Sequence, residues 1–416
     1  MTPQAASRRY ALISFLTWLP TGLYIPVMVV LLLDRGISLT AVAALGVAYS
    51  ATVMLLELPT GGLADVIGRR PVMIASAAAS LGALLLLGLS ESLWLLTFSA
   101  VLRGVARALS SGPVEAWYVD QVPAEDAAEL TRGLSLGVMA SSAALTAGTV
   151  AGALIPFGLD VSLAVPVLIA AGADALRLVV TLVAMPEAKY EASSLRSILW
   201  GVPSTIASGA RLAVRNLALT RILMVSAGMG VTLAVIELLT PAWMAELAGS
   251  AERGVLAYGL VAAVGFAADA LGSSVSMPLL RRLGSVRAVC RTGYCVSVLA
   301  LAGMAAASAM TGLPGILAAA VAYLLMFVGL GMAAGPLSQL LHSQVTTAER
   351  ATVVSVQSLL LQSAGALGAV SLGYLAGVTS PLVAFLLAAI ALAVPAARLV
   401  VPDPVPSQSA EACSGR

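Results

Sequence analysis

The sequence is poor in charge, histidine, lysine and cysteine, and each shortage excludes a class of protein. A soluble chain of this length would carry about 100 charged residues, whereas these 416 residues include 22 basic and 20 acidic ones. One histidine, His342, argues against a histidine-ligated metal centre, and three cysteines are too few for a disulfide framework. Ala188 precedes the only lysine, Lys189, so no phosphate-binding Gly-Lys loop exists. We therefore expect no metal, no bound cofactor and no nucleic-acid partner.

The sequence is unusually rich in apolar residues. Apolar residues make up 60% of the chain and the mean hydropathy is +1.00, which excludes a soluble globule, a disordered chain and a secreted disulfide scaffold. Twelve membrane spans of ~20 residues need ~240 residues, close to the apolar total. Each span must be helical, because strands and loops would leave backbone groups unpaired in lipid. Breaks at polar and Gly/Pro clusters predict spans at residues 10–33, 39–60, 72–90, 93–116, 134–156, 162–185, 218–240, 255–277, 290–310, 315–338, 352–375 and 381–401.

The basic residues predict the orientation of these spans. With the N-terminus in the cytoplasm, nearly all Lys and Arg residues outside the spans fall on the cytoplasmic side, and only Arg35 and Arg253 fall outside. Both termini are therefore predicted to be cytoplasmic. The first apolar stretch is too long for the core of a signal peptide, so we interpret it as a retained span.

The longest polar break divides the chain into two sets of six spans. We predict an all-α membrane protein with an N-terminal six-helix bundle (1–185), a cytoplasmic linker containing an amphipathic helix (186–217), a C-terminal six-helix bundle (218–401) and a disordered tail (402–416). Similar short stretches, Glu129–Ser135 and Glu349–Ser355, lead into the fifth and eleventh spans. Their equivalent positions are consistent with a duplicated set of six spans.

The turn between the second and third spans carries the most specific motif in the chain. It reads Gly61-x-Leu63-Ala64-Asp65-x-x-Gly68-Arg69-Arg70 and resembles the G-x-L-a-D-r-x-G-r-[rk] signature of the major facilitator superfamily. The six-plus-six plan agrees with that family. Val66 departs from the usual basic residue, and the equivalent second-half turn, Leu279–Arg287, keeps the glycine and the bases but lacks the acid.

The resemblance implies a transporter in which two bundles rock around a central cavity. It implies that Asp65 docks on the start of the eleventh span, near Arg350–Thr352. It also implies that Arg69 pairs with an acid at the inner end of the fourth span, for which Asp120 is the candidate. With Gly61, Gly68 and Arg70, these residues form an expected latch of the outward-open state. The stretch Ser110–Asp120 further resembles a pattern of bacterial drug-efflux members.

Charges inside the predicted spans need a reason, because each costs at least ~2.5–3.5 kcal/mol at bilayer depth. Arg103, Arg107, Ser111 and Glu115 recur every four residues in the fourth span and predict one polar stripe. Snorkelling of Arg107 and Glu115 to the surface is the alternative. By its position, Arg103 resembles a basic residue that the superfamily often ties to proton movement.

The acids of later spans are further candidates for proton coupling. Asp174 and Arg177, three residues apart, predict an ion pair within one helix. Glu237 and Asp269 have no base on their own helix, so either is a candidate. Glu237 alternatively reaches water near the outer end of its span. Trp18, Tyr24, Gln357 and Gln362 are candidates for lining the cavity, with ordinary packing as the alternative.

These features together predict an exporter of a small, amphipathic organic molecule such as an antibiotic, driven by proton antiport. The proton is the coupling ion, membrane lipids are the surroundings, the monomer is the functional unit and the bacterial cytoplasmic membrane is the location. The stretch Gly148–Gly152 lacks the proline usual in the antiporter motif, so a proton-coupled nutrient importer remains open. A non-transporting membrane sensor is the alternative of another class. We predict no enzyme, because no nucleophile–base pair stands out.

Overall fold

The structure is a computed structural model that describes residues 2–122, 127–186, 211, 215–346 and 349–399. Regular secondary structure in this part of the chain is helical throughout. The helices are α1 (Pro3–Asp34), α2 (Leu39–Ile67), α3 (Arg69–Leu89), α4 (Leu93–Ser110), α5 (Pro113–Gln121), α6 (Ala127–Leu159), α7 (Ala164–Ala184), α8 (Leu217–Ala248), α9 (Ala251–Leu283), α10 (Val286–Ala307), α11 (Gly312–Ser343), α12 (Arg350–Val378) and α13 (Pro381–Ala397). The predicted tail, 402–416, and most of the predicted linker, 186–217, lie outside the described residues.

Length and composition make this a multi-pass membrane protein. Among the described residues, 11 helical segments are long and apolar enough to cross a membrane, and α4 with α5 forms one of them, Leu93–Gln121. The last helix, Pro381–Ala397, is a shorter apolar helix. At 17 residues it is about 26 Å long, near the lower limit for a span.

Local signals in the sequence explain where the helices begin and end. Ser38, Ser250 and Ser285 precede α2, α9 and α10, and each hydroxyl accepts a hydrogen bond from the backbone N–H three residues on. Gly68, between α2 and α3, has a φ of 94°. A side chain is strained at that φ, so the motif turn requires glycine there.

Contacts between helix ends define two faces of the molecule. Arg9 Nη1 donates a hydrogen bond to the carbonyl of Ala184 at 3.1 Å, which joins the start of α1 to the end of α7. Arg35 Nη1 donates to the carbonyls of Leu87 and Ser90 at 2.6 and 2.8 Å, which joins the end of α1 to the end of α3. We call the face with the start of α1 the N-terminal face, and the other the opposite face.

The helix pairing of the first half recurs in the second half. In the first half α1 packs on α6 and α7, and α3 packs on α4 and α7. In the second half α8 packs on α12 and α13, and α10 packs on α11 and α13. The shorter helix α13 thus takes the place that α7 has in the first half. The halves meet mainly through α2 with α12 and α6 with α9, two pairs related by the same repeat.

The buried core shows that the halves pack together most closely on one side. A single apolar cluster contains Leu32 of α1 together with Trp243 of α8, both near the opposite face. Near the N-terminal face the first half has a cluster of its own around Tyr10, Trp117 and Tyr118. The two halves therefore share an apolar core at the opposite face, whereas near the N-terminal face the first half has a separate core.

Candidate functional site

A polar cavity lies between the helices on the side of the N-terminal face. Its first lobe, of about 400 Å³, lies among α1, α4, α5 and α6. Its second lobe, of about 330 Å³, lies between α2 and α4 of the first half and α12 of the second. Arg107 and Ser111 line both lobes, so the two are adjacent. Their volumes fall in the range of small-molecule sites.

Several residues predicted to line a cavity do so. Trp18, Arg107 and Glu115 line the first lobe, and the guanidinium carbon of Arg107 lies 5.2 Å from the centre of the Trp18 ring. Gln357 lines the second lobe, where its Nε2 donates a hydrogen bond to Ser226 Oγ at 2.9 Å. The bond fixes the Gln357 amide between α12 and α8.

The prediction of one continuous polar stripe in the fourth span is wrong. The helix breaks at Gly112, which has a φ of 95°, and Pro113 starts α5. Glycine tolerates this φ and proline favours the first helical position, so the Gly-Pro pair dictates the break. Arg103 and Arg107 therefore lie on α4 and Glu115 on α5, although the last two still line the same lobe.

Arg103 lies deeper than the cavity lobes, between two tyrosine rings. Its guanidinium carbon is 5.2 Å from the ring centre of Tyr24 and 5.5 Å from that of Tyr49. Its Nη1 also contacts Met28 Sδ at 2.7 Å. In the described part of the chain its buried Nε has no hydrogen-bond partner, and its side chain forms no ion pair. Two aromatic rings and the Met28 sulfur thus surround the cation, and no described carboxylate neutralises its charge.

Glu237 lies across from Arg103, on α8 of the second half. It is close enough to Tyr49, Tyr258 and Tyr323 to interact electrostatically with each of them. Its side chain is exposed, and it lines neither of the two lobes. Because α8 continues through Pro241 to Ala248, Glu237 lies 11 residues from the end of its helix, further from that end than the sequence indicated.

Five of these side chains stand at one depth, and we call them the central ring: Tyr24, Tyr49, Arg103, Glu237 and Tyr323. Each lies ten or eleven residues from the opposite-face end of its helix, which corresponds to about 15–17 Å. For comparison, half the thickness of a ~30 Å hydrocarbon layer is ~15 Å. The first three belong to the first half and the other two to the second half. The ring therefore joins a cation of one half to an anion of the other.

The second predicted acid, Asp269, does not belong to the central ring. It lies 18 residues from the opposite-face end of α9 and is half-buried. A Cβ added to Gly331 of α11 would overlap its backbone carbonyl, so α9 and α11 are in close contact there. No hydrogen bond or ion pair joins its side chain to another described residue.

Sequence reasoning missed Tyr49, Tyr258 and Tyr323 of this site, and also Glu57. Ser358 Oγ of α12 donates a hydrogen bond to Glu57 Oε2 of α2 at 3.1 Å, which is a direct polar contact between the halves. Glu57 also lines the second lobe. Part of the signal was present in the sequence, because the number of residues between a tyrosine or an acid and the end of its predicted helix can be counted there.

The motif turn lies on the N-terminal face, apart from the central ring. Arg69 forms an ion pair with Asp120, which joins α3 to α5, and Arg70 donates a hydrogen bond to the carbonyl of Leu182. Both contacts are within the first half, so they hold the turn rather than join the halves. The side chain of Asp65 and its expected docking near Arg350–Thr352 lie outside the described side chains, as does the surrounding of Gly61. The latch role of these residues stays a prediction.

Solved transporters share this fold at low sequence identity. The nucleoside transporter NupG superimposes with a TM-score of 0.78 at 12% identity, covering 95% of this chain and 98% of that chain. The peptide transporter POT in complex with sulfate gives 0.75 at 13%, covering 95% and 93%. A POT family transporter in complex with 5-aminolevulinic acid gives 0.73 at 14%, covering 96% and 98%.

At the level of sequence, no curated protein matches the chain significantly. The family model of the Major Facilitator Superfamily matches residues 10–369. That range contains the motif turn, the cavity and every residue of the central ring. The protein is therefore a transporter rather than an enzyme, and it belongs to the major facilitator superfamily.

Proposed function

We propose that this protein exports a small organic molecule across the bacterial cytoplasmic membrane in exchange for protons. One observation carries the proposal: a polar cavity lies on the side of the N-terminal face, and beyond it Arg103 and Glu237, in different halves, lie at a similar distance from the opposite face. A substrate bound at that level touches both halves, so their rocking can present it to either side. The monomer, surrounded by lipid, contains the whole site.

The orientation is part of the proposal. Arg9, Arg69 and Arg70 lie at the N-terminal face, and positively charged residues favour the cytoplasmic side. We therefore place the N-terminal face in the cytoplasm, with α13 as the twelfth span and both termini inside. The described conformation is then open to the cytoplasm.

Glu237 supplies a physical basis for exchange. A carboxylate that holds a proton no longer attracts a cationic or hydrogen-bond-donating substrate group, so proton and substrate compete for it. Because of this competition, the protein carries the substrate in one direction and the proton in the other, which is antiport. One proton entering down ~150 mV releases ~3.5 kcal/mol, enough for a gradient of roughly a few hundred-fold. No bound cofactor is part of this mechanism.

A proton-coupled importer is the second candidate. The absence of a proline in Gly148–Gly152, where the family's antiporter motif usually has one, favours it. The fold likeness to transporters of nucleosides and peptides is compatible with either direction. Import would require proton and substrate to be carried together, so Glu237 would then hold its proton while the substrate is bound.

The test measures direction and coupling together. Inverted membrane vesicles from a host expressing the protein are energised, and the uptake of a panel of fluorescent antibiotics and dyes is followed. Export predicts uptake into inverted vesicles that stops when the pH gradient is collapsed, and that is lost in Glu237→Gln. Glu246→Gln, an exposed acid on the same helix, is the matched control and should transport normally.

Accumulation in whole cells instead of inverted vesicles would establish the importer and overturn export. Normal proton-driven transport by Glu237→Gln would remove Glu237 from the coupling mechanism. No energised movement of any compound in either preparation would favour the non-transporting alternative.

A further inference from the structure

We infer that the central ring binds a zwitterion, that is, a molecule with an anionic group and a protonated amine on one apolar or aromatic body. This inference rests on the proposed transport function and adds the class of substrate to it. The features that carry it are the contacts of Arg103, the surroundings of Glu237 and their common depth.

Arg103 is a cation whose counter-charge the described protein does not supply. Its guanidinium lies 5.2 and 5.5 Å from the ring centres of Tyr24 and Tyr49, and its buried Nε has no hydrogen-bond partner among the described residues. Ring faces orient the guanidinium but accept no strong hydrogen bond from it. A guanidinium without a counter-charge attracts an anionic group such as a carboxylate or a phosphate.

Glu237 is the complementary anion on the other half. Among the described residues it forms no ion pair, and its side chain is exposed. Two tyrosines beside it, Tyr258 and Tyr323, pack edge to face with ring centres 6.4 Å apart. A carboxylate next to aromatic rings is a suitable receptor for a protonated amine, because both the charge and the ring faces attract it.

The common depth of the two charges makes a single ligand the simplest occupant. Arg103 and Glu237 lie ten and eleven residues from the opposite-face ends of their helices. Unpaired charges at that depth are costly, and a singly charged ligand relieves only one of them. A zwitterion relieves both and carries no net charge through the low-dielectric middle of the membrane.

Tyr49 lies close to both protein charges and so connects their two environments. It contacts the Arg103 guanidinium through its ring and interacts electrostatically with Glu237 as well. A ligand that reaches from one charge to the other therefore passes this tyrosine. Its body should be apolar or aromatic, since tyrosine rings of both halves surround the path.

The experiment uses the purified full-length protein in detergent and compares four charge forms of one body. Phenylalanine is the zwitterion, phenylalanine amide the cation, N-acetylphenylalanine the anion and N-acetylphenylalanine amide the neutral form; tryptophan and the Phe-Trp dipeptide provide the same four forms on larger bodies. Binding is measured as the ligand-dependent rise in unfolding temperature, with concentration series for affinity. For at least one body, the zwitterion should bind ten-fold or more tightly than each of its three relatives.

Substitutions of Arg103 and Glu237 show which protein charge binds which end of the ligand. Arg103→Gln should abolish the preference for the zwitterion over the cation, and Glu237→Gln should abolish its preference over the anion. Arg103→Lys and Glu237→Asp keep the charges and should retain part of each preference, which separates a binding role from a folding defect. Glu246→Gln and Arg253→Gln, both exposed and outside the ring, should bind like the unaltered protein.

Three results would overturn the inference: a cation, anion or neutral form that binds as tightly as its zwitterion, preferences that survive both Gln substitutions, or no stabilisation by any zwitterion in the panel. The function proposed above is tested separately. Proton-driven export of singly charged compounds, dependent on Glu237, would leave that function standing while removing the zwitterion.

Discussion

Gly259 of α9 sits where the two halves meet near the opposite face. A Cβ added there would overlap the Cβ of Ala153 on α6 and lie 3.2 Å from the Cβ of Pro26 on α1. Gly259 belongs to the second half and its two neighbours belong to the first. The substitution Gly259→Ala should therefore push the halves apart at the opposite face and disfavour the conformation that is open at the N-terminal face.

The size of this effect follows from the cost of overpacking. One extra methyl in a well-packed contact costs about 1–3 kcal/mol when the surroundings cannot shift freely. Ala153 and Pro26 are both on long helices, which can give way only by moving as bodies. Because 1.4 kcal/mol is a factor of ten, the ratio of the two conformations should change by about 5–150-fold towards the one open at the opposite face.

The assay is a distance measurement across the opposite face by electron paramagnetic resonance. Spin labels at Ser162→Cys, after α6, and Glu252→Cys, at the start of α9, are attached to a protein whose three native cysteines have been replaced. Both positions are exposed. Gly259→Ala should increase the share of long distances between the two labels.

Gly46→Ala is the matched control, because a Cβ on that α2 glycine meets nothing within 4 Å. Because it is also a change from glycine to alanine within a helix, it controls for the ~1 kcal/mol by which alanine is more favourable than glycine in a helix. Identical distance distributions for Gly259→Ala and Gly46→Ala would show that this contact does not hold the opposite face closed. The closed face would then need another explanation.

Two further predictions concern stability and pH. Asp174 and Arg177 form a 2.9 Å ion pair with side chains 0% and 4% exposed, so Asp174→Asn should lower the free energy of unfolding by about 3–5 kcal/mol; thermal unfolding in detergent measures it, and an unchanged midpoint would contradict a desolvated pair. Hydrogen bonds from the backbone N–H and hydroxyl of Thr346 hold the pKa of Glu349 below its ordinary value of 4.5. The carboxylate therefore stabilises the turn before α12 fully above that pH and ceases to do so as the pH falls through the lower folded pKa. Hydrogen exchange around Thr346 should show this acid-dependent loosening in the unaltered protein but not in Glu349→Gln.

The course of the chain could be read from hydropathy, because helices in lipid need long apolar runs and polar turns. The predicted limits of the spans are wrong where proline was assumed to end a helix. The seventh predicted span stops at 240, whereas α8 runs on to Ala248 with Pro241 inside it. Membrane helices tolerate internal proline because neighbouring groups satisfy the freed carbonyl. That short error placed Glu237 near the surface instead of at mid-depth.

The members of the central ring could be predicted only in part. Arg103 and Glu237 stand out as charges in apolar helices, and each of them needs a reason to be there. Tyr49 and Tyr323 do not, because a tyrosine in an almost wholly apolar helix gives no amphipathic phase that shows which way it faces. The direction depends on how α2 and α11 are rotated against their neighbours, and only the tertiary structure contains that information. The resemblance, by contrast, named Arg69 and Asp120 as partners before either could be located in space.

The packed layer beyond the central ring has a consequence for the cell's ion gradients. Ten or eleven residues of each of the five helices that carry a ring residue separate the ring from the opposite face, and the apolar cluster that joins both halves has members in this layer. A bare ion crossing these ~15 Å would leave water for a medium of low permittivity, at an idealised cost of order 20 kcal/mol. In the described conformation the packed layer should therefore prevent ions from leaking across the protein.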